Sequence, residues 1–326
     1  MADLSPTLAR LAALDPADWN TGLSPQAARL AWQEELERIQ AGLPELETAP
    51  ADSRLWIWCA ANVFTAPLRF ALLAQARGME VVFKAPSARP EAVLAMANAL
   101  GCRVETDSQR ALAELNSVSS PGRDRVLAFG GDEAMRVVDQ SLPVGTPRSL
   151  HGHRVSFAVV RGADEDTAMA LAWDACLFDG QGCMSPAGVF CLGDAPLLAE
   201  RIAAAMETLA QRIPRGPVDP GIGPAWRRRT GLARILGQCW EGPEWAVTLL
   251  PLDRAEALVL PRMLPVHPLR SLDELEPLSE LPLSTLATDL EPLALGFTRT
   301  VAPGQMQRPE MSAVHEGVDV VEKLMR

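Results

Sequence analysis

Hydrophobic positions along the chain form short runs that alternate with segments of helical spacing. Near the start, Ser24 and Pro25 predict the beginning of a helix that ends close to Gly42, within a helical segment over residues 1–50. From Arg54 onward, apolar runs of strand length alternate with helical segments. The strand-like runs of the first half are residues 55–60, 80–84, 102–104 and 125–129. This alternation predicts a parallel, doubly wound α/β sheet.

The second half of the chain continues in the same manner. Residues 166–177 have helical spacing, and a helix start is predicted near Ser271. The strand-like runs of this half are residues 187–192, 245–250 and 257–260. Ligands of such sheets bind at the carboxyl ends of the strands, so residues that follow strands are the candidates for a site.

Charge and cysteine content exclude several classes of function. With 30 Lys and Arg against 41 Asp and Glu, the net charge is −11, which excludes nucleic acid as an expected partner. Six cysteines are scattered without a CxxC pair, so we expect neither a zinc site nor a disulfide framework, and we predict no metal site. The chain lacks tyrosine, which excludes a tyrosine as general acid. Apolar runs are too short for a membrane span, and a cytoplasmic protein is expected.

Cys183 is the candidate nucleophile of the sequence. It follows Gly180-Gln181-Gly182 in the joint between the helical residues 166–177 and the strand-like residues 187–192. The glycines that precede it let a thiol be presented at the end of a helix without being packed into it. The alternative is a buried structural cysteine, which is a common fate of a free thiol.

Two strand ends carry groups suited to an oxyanion and to a phosphate. Asn62 follows the first strand-like run, where its amide could donate a hydrogen bond, although an asparagine there also forms ordinary turns. Gly130 and Gly131 follow the fourth run and precede a helix, which suits a pyrophosphate at a helix N-terminus. Asp132 and Glu133 serve equally well as ordinary first-turn carboxylates, and no GxGxxG motif is present.

The second strand-like run ends in a basic turn that contains Lys84, Ser87 and Arg89. In dinucleotide sites of this fold class, an acidic residue at this position binds the ribose diol, whereas a basic residue accommodates a 2′-phosphate. The turn therefore favours NADP over NAD. A surface cation is the simpler alternative for Lys84.

In this order, Asn62, Lys84, the glycine pair and the Gly-Gln-Gly-Cys segment resemble the aldehyde dehydrogenase superfamily. Within it, the chain is similar to the acyl-CoA reductase branch that includes the fatty-acid reductase of bacterial bioluminescence. Residues 304–317 resemble the Met-Gln-x-Pro…His-x-Gly ending of that branch. The resemblance implies an aldehyde dehydrogenase-like α/β fold, with a Rossmann-like cofactor-binding domain and an α/β catalytic domain.

The resemblance also implies the division of the chain and the identity of its partners. We expect a helical segment over 1–50, an NADP-binding domain over 51–160, a catalytic domain over 161–290, and a segment over 291–326 that returns to the cofactor domain. Cys183 and Asn62 would be catalytic, and Lys84, the Ser87 to Arg89 turn and the glycine pair would bind NADPH. The implied substrate is an acyl-CoA or acyl-carrier thioester, and a homo-oligomer or an acyltransferase or synthetase partner stays open.

One departure from the superfamily pattern bears on the reaction. Hydrolytic aldehyde dehydrogenases carry Glu-Leu-Gly-Gly where this chain has Leu150-His151-Gly152-His153. Without the glutamate that activates water, reduction of a thioester is favoured over oxidation of an aldehyde. Three alternatives stay open: NAD(P)-dependent aldehyde oxidation, a non-catalytic partner subunit that keeps the fold, and a cysteine hydrolase.

Overall fold

The computed structural model of the 326-residue chain describes residues 4–42, 52–117, 122–291, 293–311 and 314–325. Two compact units divide these residues. The first unit contains residues 1–21, 32–153 and 310–326, and the second contains residues 22–31 and 154–309. Each unit therefore draws on separate stretches of the sequence.

The first unit is built on a five-stranded parallel sheet with the order β3-β2-β1-β4-β5. Its helices and strands before residue 154, together with a helix that begins in the second unit, are α1 (Ser5–Ala12), α2 (Pro25–Ala41), β1 (Arg54–Trp58), α3 (Leu68–Ala76), β2 (Glu80–Lys84), α4 (Glu91–Leu100), β3 (Arg103–Glu105), α5 (Ser108–Leu115), β4 (Asp124–Phe129), α6 (Asp132–Ser141) and β5 (Arg148–His151). This order matches five strands of the Rossmann order 3-2-1-4-5-6 and confirms the predicted parallel sheet.

The local sequence accounts for several of these boundaries. Gly101 ends α4 in the left-handed conformation at φ 68°, and its N–H bonds the carbonyl of Ala97. Asp107 caps α5 by accepting hydrogen bonds from two backbone N–H groups. Every residue of β1 is buried, as expected for a central strand that is covered on both faces.

The second unit contains a seven-stranded sheet with the order β12-β11-β6-β7-β10-β9-β8. The elements are β6 (Val155–Val160), α7 (Glu165–Cys176), β7 (Pro186–Cys191), α8 (Ala195–Arg212), α9 (Gly223–Leu236), β8 (Gln238–Glu241), β9 (Ala246–Leu249), β10 (Met263–Pro268), β11 (Leu283–Thr288) and β12 (Arg299–Val301). All pairs are parallel except β8 with β9. Helices α7 and α8 cover one face of its core.

The C-terminal residues of the first unit form a short antiparallel pair and a helix. These elements are β13 (Val314–His315), β14 (Val318–Asp319) and α10 (Val320–Leu324). Arg77 of the same unit donates a hydrogen bond to the carbonyl of Met325 at 2.8 Å. The chain returns from the second unit to the first at Glu310.

Three details differ from the sequence-based expectations. Residues 257–260 do not form the expected strand, and β10 begins instead at Met263. Pro261 has no N–H for a strand ladder, and Arg262 adopts a left-handed φ of 49°, so a strand cannot run through this point. Strand β6, which the expected boundary at residue 160 assigned to the cofactor domain, pairs within the second sheet. His151, expected in a turn, is the last residue of β5.

Candidate active site

Cys183 lies in the second unit, between the end of α7 and the start of β7, as the sequence pattern predicted. The thiol-bearing residue is half-buried, whereas Cys176 and Cys191 on either side are buried. The chain turns sharply before it, because Asp179 and Gly180 both have left-handed backbone conformations, at φ 51° and 72°. A Cβ atom on Gly180 would lie 2.9 Å from Val259, so only glycine fits this turn.

A buried ion pair holds the residues that precede Cys183. Nε of Arg262 donates to Oδ1 of Asp179 at 2.5 Å, and both side chains are almost completely inaccessible to solvent. The other carboxylate oxygen of Asp179 accepts a hydrogen bond from the N–H of Gly216 at 2.8 Å. Desolvation raises the pKa of Asp179, and the charge of Arg262 opposes this effect. Local sequence patterns do not reveal the pair, because its partners are 83 positions apart.

The residues at and after Cys183 are held by hydrogen bonds from β6 and from the tail motif. Oγ of Ser156 donates to the carbonyl of Cys183 at 2.6 Å. Nε2 of Gln307 donates to Oγ of Ser185 at 2.9 Å and to the carbonyl of Asp174 at 3.0 Å. The backbone on both sides of the thiol is therefore fixed within the second unit.

Asp174 on α7 anchors the tail motif. Its carboxylate accepts hydrogen bonds from the backbone N–H groups of Gly304 at 2.7 Å and Met306 at 3.1 Å. Burial raises the pKa of this carboxyl to about 7, against the backbone donors that lower it. Arg299 donates to three backbone carbonyls of the same segment, including that of Met306 at 2.8 Å. The motif that suggested the reductase branch thus packs against the helix that leads to Cys183.

The other candidate catalytic residue, Asn62, lies in the first unit. It occupies the bend that follows β1, at the carboxyl end of a central strand. That position matches the sequence-based expectation of a residue just after a strand. Its assignment as an oxyanion donor stays a prediction.

The candidate cofactor residues also lie in the first unit, at the carboxyl ends of β2 and β4. Lys84 is buried at the end of β2, where Nζ donates to the carbonyl of Ala85 at 2.5 Å, and desolvation lowers its pKa. Ser87 is exposed in the following turn. Arg89 is half-buried and contacts the carbonyl of Thr21 at 3.4 Å. The simple alternative of a surface cation does not describe Lys84.

The glycine pair lies where the sequence placed it, between β4 and α6. Gly131 is the N-cap of α6, and a Cβ atom there would meet no neighbour within 4 Å. The first-turn carboxylates have protein partners, because Asp132 accepts a hydrogen bond from the N–H of His153 at 2.6 Å and Glu133 pairs with Arg136. Open space therefore adjoins this helix terminus, as binding of a phosphate there would require.

A cluster of two histidines and a glutamate, which sequence reasoning did not find, lies in the first unit. The donor atoms of His151, His315 and Glu316 lie within 4.8 Å of one another, a spacing that a metal ion could use. Nδ1 of His151 contacts Glu316 at 2.9 Å, and its Nε2 contacts Oγ of Ser149 at 3.0 Å. Arg69 donates to Nδ1 of His315 at 2.8 Å. Hydrogen bonds within the protein account for both ring nitrogens of His151 and for Nδ1 of His315, and the cationic guanidinium of Arg69 disfavours a metal ion beside them.

The chain is similar to known proteins both in sequence and in fold. The family model described as acyl-CoA reductase (LuxC) matches residues 107–234, a range that contains Cys183.

In the part of the chain that the structure describes, no helix combines the length and the apolar character needed to cross a membrane.

Two curated relatives are long-chain acyl-protein thioester reductases. The enzyme of Aliivibrio fischeri is 30% identical over 96 residues, which are 28% of this chain and 20% of the relative. The protein named long-chain acyl-protein thioester reductase 2 of Photobacterium leiognathi is 24% identical over 160 residues, which are 47% of this chain and 34% of the relative. The matched segments thus span only 20% and 34% of the length of these two relatives.

The solved structure of an NAD-dependent benzaldehyde dehydrogenase from Corynebacterium glutamicum has a similar fold. Its TM-score is 0.68 at 16% identity, with 93% of this chain and 81% of the other covered. The predicted aldehyde dehydrogenase-like fold is confirmed by this likeness, and the sequence matches agree with the reductase branch. By sequence, the chain is thus similar to the acyl-CoA reductase family model and to the two thioester reductases, and the likeness to the solved structure shows its fold alone.

Proposed function

We propose that the chain reduces a long-chain acyl thioester to an aldehyde through a covalent thioester on Cys183. The observation that carries the proposal is the presentation of this half-buried thiol in a helix-to-strand turn fixed from both sides. A structural cysteine needs no such support. The names of the two matched relatives give the substrate class, an acyl group held as a thioester.

In the proposed reaction, the thiolate of Cys183 attacks the carbonyl carbon of the acyl thioester. The side-chain amide of Asn62 and the backbone N–H of Cys183 donate hydrogen bonds to the resulting oxyanion, and each such donor is worth roughly 3 to 4 kcal/mol. The carbonyl then re-forms and the carrier thiolate leaves, so the acyl group remains on Cys183 as a thioester. A thiolate rather than a thiol is the attacking species.

A bound nicotinamide cofactor would supply the hydride that reduces the acyl-enzyme thioester. Hydride addition to the acyl carbon, followed by cleavage of its C–S bond, would release the aldehyde and return the Cys183 thiolate. The residues of the first unit that would hold it are Lys84, Ser87 and Arg89 after β2, and the Gly131 cap of α6. Open space at that cap and strand ends on one edge of a parallel sheet fit a dinucleotide. The half-buried Arg89 and the exposed Ser87 favour NADPH, because both groups suit a 2′-phosphate.

Aldehyde oxidation is the second candidate within this fold. It requires a base that activates water, and the chain carries His151 in β5 where the hydrolytic enzymes have their glutamate motif. Both ring nitrogens of His151 contact protein groups. Reduction of a thioester needs no hydrolytic water, so the site favours reduction. Cytoplasmic location and a synthetase or acyltransferase partner stay predictions of the same proposal.

The test is to incubate the protein with a long-chain acyl-CoA in the absence of nicotinamide and to measure its intact mass. An acyl adduct should form on the wild type and be absent from Cys183→Ala. Cys239→Ala is the matched control, since Cys239 is also half-buried and lies in the same unit. Addition of NADPH should then discharge the adduct as aldehyde.

Three outcomes would contradict the proposal. An adduct that persists on Cys183→Ala would remove Cys183 as the nucleophile. An enzyme that converts aldehyde to acid with NAD(P), but takes no acyl group from acyl-CoA or from an acyl-carrier protein, would establish the oxidative alternative. A protein that neither takes an acyl group nor binds NADPH in a fluorescence titration would indicate the non-catalytic subunit.

A further inference from the structure

The ion pair between Arg262 and Asp179 joins four segments of the second unit around the turn that precedes Cys183. Nη2 of Arg262 lies 3.5 Å from the carbonyl of Cys176 at the end of α7, and 3.3 Å from the carbonyl of Pro214 after α8. Asp179 accepts from the N–H of Gly216. The arginine therefore connects the chain just before the nucleophile to two other stretches.

The fourth segment is the short N-terminal part of the second unit. Nε2 of Gln181 donates to the carbonyl of Gly22 at 3.3 Å. A Cβ atom on Gly216 would collide with the backbone of Gly22 and Leu23, so the two segments are packed backbone to backbone. Movement of the turn at Asp179 would therefore disturb contacts in every one of these segments.

Stability alone does not explain why a buried ion pair holds this turn. Removing two charges from water is unfavourable, and a hydrophobic pair of similar volume is often as stable or more so. Nη1 of Arg262 is buried and has no hydrogen-bond partner among the residues that the structure describes. Arg262 also adopts a left-handed backbone conformation, which is unfavourable for residues other than glycine, asparagine and aspartate. These costs indicate a function that requires this geometry.

Neither side chain is available for the reaction itself. Both carboxylate oxygens of Asp179 are engaged, one by Arg262 and one by Gly216, and both side chains are inaccessible to solvent. An effect on chemistry must then pass through the backbone from Asp179 to Cys183, four residues later. The ion pair can orient the thiol without touching a substrate.

We infer that Arg262 and Asp179 are positioning residues, which hold Cys183 at the angle needed to attack a bound acyl thioester. This inference rests on the proposed function. The pair controls the geometry of acylation and leaves the intrinsic reactivity of the thiol unchanged. A misplacement of the nucleophile by about 1 Å lowers the rate of such a step by about 100-fold.

The test compares two reactions of Cys183 in the full chain. Acylation by a long-chain acyl-CoA, followed by intact mass in a single turnover, demands the correct attack angle. Alkylation by iodoacetamide, a small reagent that approaches from many directions, reports the thiol itself. In Arg262→Met, acylation should fall by about 100-fold, whereas the alkylation rate and the midpoint of its pH profile should match the wild type. Arg262→Lys keeps the charge opposite Asp179 and should restore part of the acylation rate.

Asp179→Asn provides a second variant in case Arg262→Met does not fold. Asparagine tolerates the left-handed conformation and keeps one acceptor oxygen, so the turn can form without the charge pair. Arg229→Met is the matched control, because Arg229 is equally buried in the same unit and pairs with Glu256 at 2.9 Å. That control should lower the melting temperature without a selective loss of acylation.

The outcomes separate the two proposals. A wild type that takes no acyl group defeats the proposed function and the inference with it. A wild type that is acylated, with folded Arg262→Met or Asp179→Asn variants acylated at the same rate, defeats the inference alone. If acylation and alkylation fall together, and do so to the same extent in Arg229→Met, the ion pair has only a structural role.

Discussion

The buried carboxyl of Asp174 should make the stability of the protein depend on pH in an unusual direction. Burial raises its pKa from the ordinary value of 3.8 to about 7. In the unfolded chain the group loses its proton near pH 4, whereas in the folded chain it keeps the proton until about pH 7. Its contribution to the free energy of unfolding is therefore complete below pH 4 and is lost as the pH rises to 7.

The magnitude follows from the two pKa values. Each tenfold change in proton affinity corresponds to about 1.4 kcal/mol, so the rise from 3.8 to about 7 corresponds to about 4 kcal/mol in all. Between pH 5 and pH 8, where denaturation experiments are convenient, about 3 kcal/mol of this should be lost. The backbone donors from Gly304 and Met306 favour the charged form and are already included in the balance.

The assay is urea denaturation of the wild type and of Asp174→Asn at pH 5 and pH 8. Asparagine has nearly the same shape but cannot ionise, so the difference between the two proteins isolates this carboxyl from all other titrating groups. The wild type should lose about 3 kcal/mol relative to the variant between the two pH values. Relative to the wild type, Asp174→Asn is itself expected to lose about 1 to 3 kcal/mol at pH 5, since its amide nitrogen faces a backbone N–H.

A constant difference between the two proteins from pH 5 to pH 8 would refute the reasoning. It would mean that the donors of the tail motif keep Asp174 charged in the folded protein throughout this range.

Three further predictions concern stability. Gly193→Ala should lower the free energy of unfolding by more than about 2 kcal/mol in urea denaturation, because a Cβ atom there would collide with the backbone carbonyl of Arg161. Gly231→Ala, in the half-buried interior of α9, where the added Cβ would meet no described neighbour within 4 Å, should instead raise the free energy of unfolding by about 0.5 to 1 kcal/mol, and a loss would contradict the open space. Arg69→Met should lower the free energy of unfolding by about 1 to 3 kcal/mol, because His315 would lose this hydrogen-bond donor. Hydrogen exchange in β13 and β14 should become faster, and unchanged exchange there would argue against the contact as an anchor.

Much of the fold could be predicted from the sequence, because its signals are local. Alternating apolar runs and helical segments predict the parallel sheets, and Gly101 marks the end of α4 where the structure has it. The position of Cys183 between a helix and a strand was equally local. The prediction of a strand at residues 257–260 was wrong. It rested on the apolar character of these residues, whereas Pro261, directly after them, lacks the N–H that a strand ladder needs.

The supports of the candidate nucleophile could not be predicted in this way. Arg262 is a single charged residue after a proline, a pattern typical of an exposed loop, and its partner Asp179 is 83 positions away. The carboxylate of Asp174 accepts a hydrogen bond from the backbone N–H of Gly304, 130 positions later, and no side-chain pattern marks that donor. Such pairings depend on which distant segments the tertiary structure brings together, and periodicity carries no information about that.

The division of the first unit among three stretches of sequence has a consequence for biosynthesis. Its sheet is encoded by residue 153, but the residues that follow Pro309 are translated only after the second unit, and they include α10, whose Val320 and Leu324 are fully buried. The nascent first unit must therefore wait through the translation of more than 150 intervening residues, which at about 5 to 20 residues per second takes about eight to thirty seconds, before it can close its own interior. Chaperones that protect exposed apolar surface during this interval should bind the growing chain at this unit.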